Sequence, residues 1–247
     1  MTALCEGNNS LHRGFRVLLT CEHGGNRVPK RLLSLFRGHT KILKGHCGYD
    51  IGALELSQTI ARVLSVPLYS SSITRLLIDL NRSVTNPKLF SDVTNRLAQS
   101  EKEAIIGRYY LPYHDAVELA VRKIIHSGER VLHFGAHTFT PVLQGRVRSA
   151  DIGLLYDPSR VRETAFCKCW QRIIHSSTPD LAVRRNYPYQ GKSDGFTAYL
   201  RNQFDQRNYL GVEIEVNQKH VLGDRSRWLL LQKTICESLR TVLNGHP

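Results

Sequence analysis

Residues 15–25 read FRVLLTCEHGG, an apolar run that ends in an acidic residue, a histidine and two glycines. A short apolar run bounded by glycine is typical of a buried strand that stops at a tight loop. Runs of this kind alternate with helical patterns along the rest of the chain. The alternation predicts an α/β layered fold with a largely parallel or mixed sheet.

Hydrophobic periodicity divides the chain into elements. Strands are predicted over 15–20, 66–69, 73–80, 131–137, 152–156, 182–185 and 209–216, and helices over 51–64, 101–126, 161–175, 196–202 and 226–244. Pro112 is expected to kink or divide the longest helix. Because no linker, repeat or low-complexity tract interrupts the pattern, we expect a single domain over residues 1–247. Ligands of open α/β sheets bind at the carboxyl ends of strands, which makes polar residues there the functional candidates.

The charge is the unusual feature of the composition. The 247 residues include 34 Lys and Arg against 21 Asp and Glu, which gives a formal net charge of +13. Such a balance suits either polyanions such as nucleic acid or small carboxylate substrates drawn to a basic cleft. The arginines are scattered from Arg13 to Arg240 rather than clustered, so the charge alone does not choose between these partners.

The chain has the features of a cytoplasmic protein. No stretch approaches the roughly 20 apolar residues that span a bilayer, and MTALCEGNNS at residues 1–10 has neither a basic nor an apolar leader region. We therefore expect neither export nor membrane insertion. The cysteines form no CxxC pair or regular framework, which predicts reduced thiols at Cys5, Cys21, Cys47, Cys167, Cys169 and Cys236.

Two histidines at strand ends suggest a metal site. His23 follows the first strand, and His137 ends the strand over 131–137, where period-2 alternation places His133 on the same face. Catalytic zinc typically takes three ligands from histidine and carboxylate and leaves one position for water. Asp50 is the candidate carboxylate, with Glu22 or Asn26 as substitutes. As structural alternatives, His23 would be a loop residue bonded to the main chain and Asp50 would cap the next helix.

Glu213 and Glu215 alternate onto one face of a strand that is otherwise apolar. Burying two like charges is costly unless a metal, a cation or a proton compensates them. A glutamate beside zinc-bound water is the usual general base of metal-assisted hydrolysis. The alternative is an edge strand with a solvated acidic face.

The stretch over 74–82, TRLLIDLNR, carries arginines at both ends. The planar fork of arginine matches a carboxylate, so Arg82 and Asn81 are candidates for holding a substrate carboxylate, with Asp79 beside them. Arg75 is a candidate for stabilising an oxyanion. The alternative is a surface ion pair between Asp79 and Arg82 that ends the strand.

Other catalytic motifs are missing from the sequence. The loop over 191–197 has the character of an anion site at a helix start, but it lacks the glycine-lysine spacing of a nucleotide P-loop. Neither a nucleophile elbow nor a dinucleotide fingerprint is present. Serine hydrolases and dinucleotide enzymes therefore lose support.

Seven segments in this order resemble the N-formylglutamate amidohydrolase family. They are CEHGGNRVP, GYDIGALEL, TRLLIDLNRS, YYLPYHDAV, HFGAHTFTP, DIGLLYDPSR and GVEIEVNQ, between residues 17 and 217 approximately. The resemblance implies a three-layer α/β sandwich of the phosphorylase/hydrolase-like kind, with a mixed central sheet. It also implies the zinc chemistry shared with zinc carboxypeptidases and aspartoacylases.

The resemblance carries roles to individual residues. His23 and His137 match the metal-site histidines, and Asp50 lies in the segment that resembles the family's aspartate-containing one. The HxxE pair of carboxypeptidase-like sites is not kept, because Asn26 stands where the glutamate would be. The resemblance further implies that Asn81 and Arg82 bind the substrate carboxylate and that Arg75 stabilises the oxyanion. Glu215 matches the general base, with Glu213 as its alternative.

These features together predict a Zn²⁺-dependent amidohydrolase that cleaves the C–N amide bond of a small anionic N-acyl amino acid. One alternative is a carboxypeptidase-like peptidase or cell-wall amidase with the same chemistry. The alternative from another class is a basic nucleic-acid-binding protein without catalysis, although the sequence has neither an aromatic-basic repeat nor zinc-finger spacing to support it. We therefore expect neither nucleic acid nor a membrane as a partner.

Overall fold

The strands of the computed structural model, which describes residues 14–245, form one large sheet and one hairpin. In chain order they are β1 (Phe15–Cys21), β2 (Leu68–Ser70), β3 (Arg130–Phe139), β4 (Val142–Leu143), β5 (Arg146–Val147), β6 (Ile152–Leu155), β7 (Val183–Arg185) and β8 (Tyr209–Asn217). The large sheet has the order β2-β1-β3-β8-β6-β7. Its neighbours pair in parallel except β6 and β8, so the sheet is mixed, as predicted.

The helices are α1 (Thr40–Lys44), α2 (Ala53–Leu64), α3 (Gln99–Ile105), α4 (Leu111–His126), α5 (Val161–Ser177), α6 (Phe196–Gln203), α7 (Gln218–Val221) and α8 (Arg225–Asn244). A 3₁₀ segment spans Lys30–Phe36, and a π-helical segment over Ile106–Tyr110 joins α3 to α4. Pro112 lies in the first turn of α4, directly after the π-helical segment. The prediction that the long helix is divided near Pro112 is therefore confirmed.

Helices on both sides of the sheet make three layers. One face packs against α2, α5 and α8, in a core that includes Leu56, Trp170 and Ile235. The other face packs against α4 and α6. Side chains alternate along β8, so Val212, Ile214 and Val216 lie in the first core, whereas Glu213 and Glu215 lie on the opposite face of the sheet. The predicted three-layer fold is confirmed.

The predicted strand over 73–80 is wrong. The chain there forms turns, with only an isolated bridge between Arg27 and Ile73. The hydroxyl of Thr74 accepts a hydrogen bond from the main-chain N–H of Leu76, which closes a local turn. The run is apolar because Leu77 and Ile78 are buried in a separate core beside the sheet. Burial, rather than pairing, explains its hydrophobic character.

The described cysteines agree with the prediction of reduced thiols. The five cysteines in the described part of the chain are free thiols, and Cys5 lies outside it. None of the helices between residues 14 and 245 combines the length and the apolar character that crossing a bilayer requires.

A buried ion pair ties three elements together. Glu163 of α5 is fully buried and Arg201 of α6 is 6% exposed, and Nε of Arg201 lies 3.1 Å from both carboxylate oxygens. The guanidinium also donates to the main-chain carbonyls of Gly191, at 2.6 Å, and Gly211 of β8, at 2.7 Å. The pair therefore fixes α6 and the chain before it relative to β8.

Gly153 of β6 allows a close approach of the chain that follows β7. A Cβ built at this glycine would overlap the main-chain carbonyl oxygen of Tyr187. Gly153→Ala is expected to lower the free energy of unfolding by about 1 to 3 kcal/mol, because the added methyl forces the backbone apart. Urea unfolding measures the change. Gly107→Ala is the control, since a Cβ there meets no described atom within 4 Å outside its helix. An equal loss in both variants would contradict the steric explanation.

Candidate active site

The predicted polar residues meet at one edge of the sheet. His23 follows β1 directly, and His137 lies near the carboxyl end of β3, paired in register with Glu215 of β8. Because β1, β3 and β8 run parallel, their carboxyl ends bring residues far apart in the sequence to the same place. The candidate residues therefore lie together at the carboxyl edge of the sheet.

His23, Asp50 and His137 form a buried cluster, which we call the His–Asp–His cluster. One potential ligand atom from each residue lies within 4.8 Å of the others. The side chains are 2%, 6% and 2% exposed, and the two imidazole centroids are 5.3 Å apart. This set of two imidazoles and one carboxylate has the composition of a catalytic zinc site.

The carboxylate of Asp50 contacts the histidines of the cluster and does not cap helix α2. Its Oδ2 lies 2.9 Å from Nδ1 of His137 and 3.4 Å from Nδ1 of His23. The residue before α2 is Gly52, and the amide of Ala53 bonds to the main-chain oxygen of Asp50. The helix-cap alternative for Asp50 is therefore wrong.

Each imidazole also contacts a carboxylate on its other nitrogen. Nε2 of His23 lies 2.6 Å from Oδ1 of Asp79, and Nε2 of His137 lies 3.2 Å from Oε2 of Glu22. The ring of His23 is thus held by side chains, so its reading as a loop histidine bonded to the main chain is wrong. Carboxylates on both sides of each ring make this a favourable place for a cation.

Arg75 neutralises part of the acidic charge. It lies 2.7 Å from Asp79 and 3.4 Å from Asp50, so the alternative interpretation, a surface ion pair between Asp79 and Arg82, is wrong. Burial alone would raise the pKa of Asp79, but the charges of Arg75 and His23 lower it below its usual range. Burial would likewise lower the pKa of His137, whereas Asp50 and Glu22 raise it well above its ordinary value.

Glu213 and Glu215 lie on an interior strand, 8% and 6% exposed, so the solvated-edge alternative is wrong. Glu213 accepts a hydrogen bond of 2.5 Å from the hydroxyl of Thr197. Oε2 of Glu215 is buried without a hydrogen-bond partner among the described residues, and burial raises the pKa of this carboxyl to about 8.

The residues present fit a metal ion. Nδ1 of His23 and Oε2 of Glu215 are both buried without hydrogen-bond partners among the described residues. Buried polar atoms are normally bonded, and each exception needs an explanation such as an ion or water. An ion ligated by the His–Asp–His cluster, with a water beside Glu215, would satisfy both atoms.

Asn81 and Arg82 line the cavity next to the cluster. Oδ1 of Asn81 accepts a 2.6 Å bond from the amide of Phe196, and its amide nitrogen is 3.5 Å from Nε2 of His137. Arg82 donates to the main-chain carbonyl of Asp194 at 2.7 Å and forms no ion pair with any residue between 14 and 245. Its charge is therefore available to an anionic ligand.

The cavity has a volume of about 410 Å³. Its polar lining includes the His–Asp–His cluster, both glutamates, Arg75, Asn81 and Arg82. Phe139, Leu143 and Tyr189 add apolar surface. Asp79, predicted to bind substrate, is instead engaged by His23 and Arg75.

Some functional neighbours were not predicted. Tyr113 of α4 donates to Oε1 of Glu22 at 3.0 Å, and Thr197 bonds Glu213. Tyr113 belongs to the apolar stripe of its helix, which gives no sign of a polar contact 91 residues away. Asn26, a substitute ligand in the sequence prediction, bonds the main-chain oxygen of Leu43 instead of the cluster.

Comparisons with known proteins identify the family and the fold of the chain. A family model described as N-formylglutamate amidohydrolase matches residues 15–222. A gene product of Agrobacterium tumefaciens has a similar structure, with a TM-score of 0.76, 26% sequence identity, and coverage of 95% of this chain and 94% of that one. The fold is also similar to that of N-formylglutamate amidohydrolase from Ralstonia eutropha, with a TM-score of 0.64, 20% identity, and coverage of 93% and 94%. None of the curated proteins is significantly similar in sequence. The match over residues 15–222 is most of the chain, which therefore belongs to the N-formylglutamate amidohydrolase family.

Proposed function

We propose that the protein is a zinc-dependent amidohydrolase that cleaves the C–N amide bond of a small anionic N-acyl amino acid. The observation that carries the proposal is the buried His–Asp–His cluster at the carboxyl edge of the sheet. Membership of an amidohydrolase family supports the reaction class. A zinc ion held by His23, Asp50 and His137 would polarise the acyl carbonyl and lower the pKa of a bound water.

Arg82 and Asn81 hold the substrate carboxylate in this proposal. The guanidinium of Arg82 has no acidic partner among the described side chains, and its fork geometry suits a carboxylate. Arg75 lines the same cavity and is held in place by two aspartates, Asp50 and Asp79. From there it stabilises the negative charge that develops on the acyl oxygen.

Glu215 serves as the general base. It lies opposite His137 in the sheet and has an oxygen with no hydrogen-bond partner in the described chain, whereas Glu213 is bonded to Thr197. This difference favours Glu215 over Glu213 as the acceptor of a proton from water. A cation in the cluster would lower the raised pKa of Glu215 and keep its carboxylate ionised.

Glu215→Gln is expected to lower kcat for N-formyl-L-glutamate by about 10² to 10⁴-fold, because the amide cannot accept the proton. Zinc content should stay unchanged. The measurement pairs a formate-release assay with elemental analysis of the zinc-loaded protein. Glu213→Gln is the matched control, and a larger loss in that variant would exchange the two roles.

Substrate tests separate the proposal from its alternatives. Hydrolysis of peptides without hydrolysis of N-acyl amino acids would favour a peptidase or cell-wall amidase. The nucleic-acid alternative requires steeply salt-dependent binding to DNA or RNA. If the wild-type protein takes up no zinc after reconstitution and hydrolyses no amide, the amidohydrolase proposal is overturned.

A further inference from the structure

Glu22 occupies a position behind His137 that the proposed reaction does not use. The carboxylate is 2% exposed and contacts Nε2 of His137, while Nδ1 of the same ring faces Asp50. The two nitrogens of an imidazole point in different directions. Glu22 therefore lies on the side of the ring away from the His–Asp–His cluster.

Buried hydroxyl groups hold this carboxylate in place. Tyr113 donates to Oε1 of Glu22, and its oxygen is also 3.1 Å from the main-chain oxygen of Tyr69. Burial alone would raise the pKa of Glu22, but His137 and the hydroxyl of Thr20, on β1, lower it to about 2. Both oxygens of Glu22 thus have partners that come from the fold rather than from a ligand.

Thr20 also contacts a buried histidine, His133. Nδ1 of His133 lies 2.6 Å from the hydroxyl of Tyr209, and Nε2 lies 2.8 Å from Oγ1 of Thr20. Burial lowers the pKa of His133 to about 4, so the ring is neutral and has one donor and one acceptor. If Tyr209 donates to Nδ1, then Nε2 donates to Thr20, which leaves the proton of the Thr20 hydroxyl for Glu22.

We propose that Glu22 is a positioning residue, which accepts the Nε2 proton of His137 and leaves the Nδ1 lone pair directed at the metal. The buried chain from Tyr209 through His133 and Thr20 supplies Glu22 with a donor. A carboxylate behind a metal-binding histidine fixes the tautomer and raises the basicity of the ring. The inference rests on the proposed function, because it assigns Nδ1 of His137 as a metal ligand.

Zinc affinity of the full-length protein tests this role. Glu22→Gln is expected to weaken zinc binding about 10- to 100-fold, with one ion still bound per chain. A competing chromogenic chelator gives the dissociation constant. Thr20→Val and Tyr113→Phe, which remove single hydroxyls, are expected to weaken binding by smaller factors and keep the inference testable if Glu22→Gln does not fold.

Glu118→Gln is the control, since Glu118 lies on α4 and bonds Tyr199 and Arg122 instead of the site. Its zinc affinity should equal that of the wild type. The visible spectrum of the cobalt-substituted protein distinguishes positioning from ligation, because loss of a ligand changes the coordination geometry.

An unchanged affinity in Glu22→Gln, Thr20→Val and Tyr113→Phe would overturn the inference and leave the proposed function standing. A changed cobalt spectrum in Glu22→Gln would also overturn it, because Glu22 would then be a ligand itself. A wild-type protein that binds no zinc would instead overturn the proposed function, and the inference with it.

Discussion

His137→Ala is expected to leave the protein without bound zinc and without amide hydrolysis. The variant removes one of the three residues of the His–Asp–His cluster, and three ligands are what a catalytic zinc site usually has. The acidic groups that remain, Asp50 and Glu22, cannot replace the imidazole at the end of β3. Elemental analysis should show about one zinc per wild-type chain and almost none in the variant.

His23→Ala should behave in the same way, since its ring lies across the cluster from His137. His46→Ala is the matched control. His46 lines the same cavity but is exposed and lies outside the cluster. The variant should keep its zinc. Retention of zinc in both His23→Ala and His137→Ala would show that the ion binds somewhere other than the His–Asp–His cluster.

Arg201→Met is expected to lower the free energy of unfolding by about 3 to 5 kcal/mol, because it breaks a buried ion pair. The substitution removes the nearer of the two cations beside the fully buried Glu163 and leaves only Arg160, at 3.9 Å. The carbonyls of Gly191 and Gly211 also lose their donors. Urea denaturation at neutral pH, followed by circular dichroism, measures the loss.

Two further variants identify the cause. Arg207→Met removes an exposed arginine that pairs with Asp205 on the surface, and it should change stability very little. Arg201→Met combined with Glu163→Leu should recover part of the lost stability, because the fully buried carboxylate is then removed as well. A double variant no more stable than Arg201→Met would show that lost packing, rather than the buried charge, is responsible.

The sequence predicts an element well when its hydrophobic periodicity matches the face that the element buries. β8 has apolar residues at every second position, and the structure places them all in one core. The helices α5 and α8 likewise match their periodic stripes. The turn over 73–80 could not be told from a strand, because a buried turn and a buried strand both need apolar side chains.

Short elements escaped prediction for a different reason. The hairpin of β4 and β5 and the single-turn helix α7 contain two to four residues each, which is too few for a period to show. Their formation depends on neighbouring segments. Gln218 of α7, for example, donates to the hydroxyl of Thr138 at the end of β3.

The sequence predicts the candidate site from the polar residues that stand at the carboxyl ends of predicted strands. His23, His137 and Glu215 follow from that argument, and parallel pairing brings them together. Asp50 needed the family resemblance, because nothing in its local pattern separates a ligand from a helix cap. The contact between Glu22 and Tyr113 depends on how α4 packs onto the sheet, which no local pattern contains.

The π-helical segment between α3 and α4 imposes a constraint on chain length. Each helical residue turns the chain by about 100°, so one residue more or fewer rotates everything before it. Before the segment, Ile105 is buried in the same core as Leu77. At its end, Tyr110 donates to the main-chain oxygen of Arg82, and in α4 Tyr113 donates to the carboxylate of Glu22. The contacts before the segment and those after it form together only at one rotation of α3 relative to α4. In related sequences, substitutions should therefore accumulate in this segment more readily than insertions or deletions.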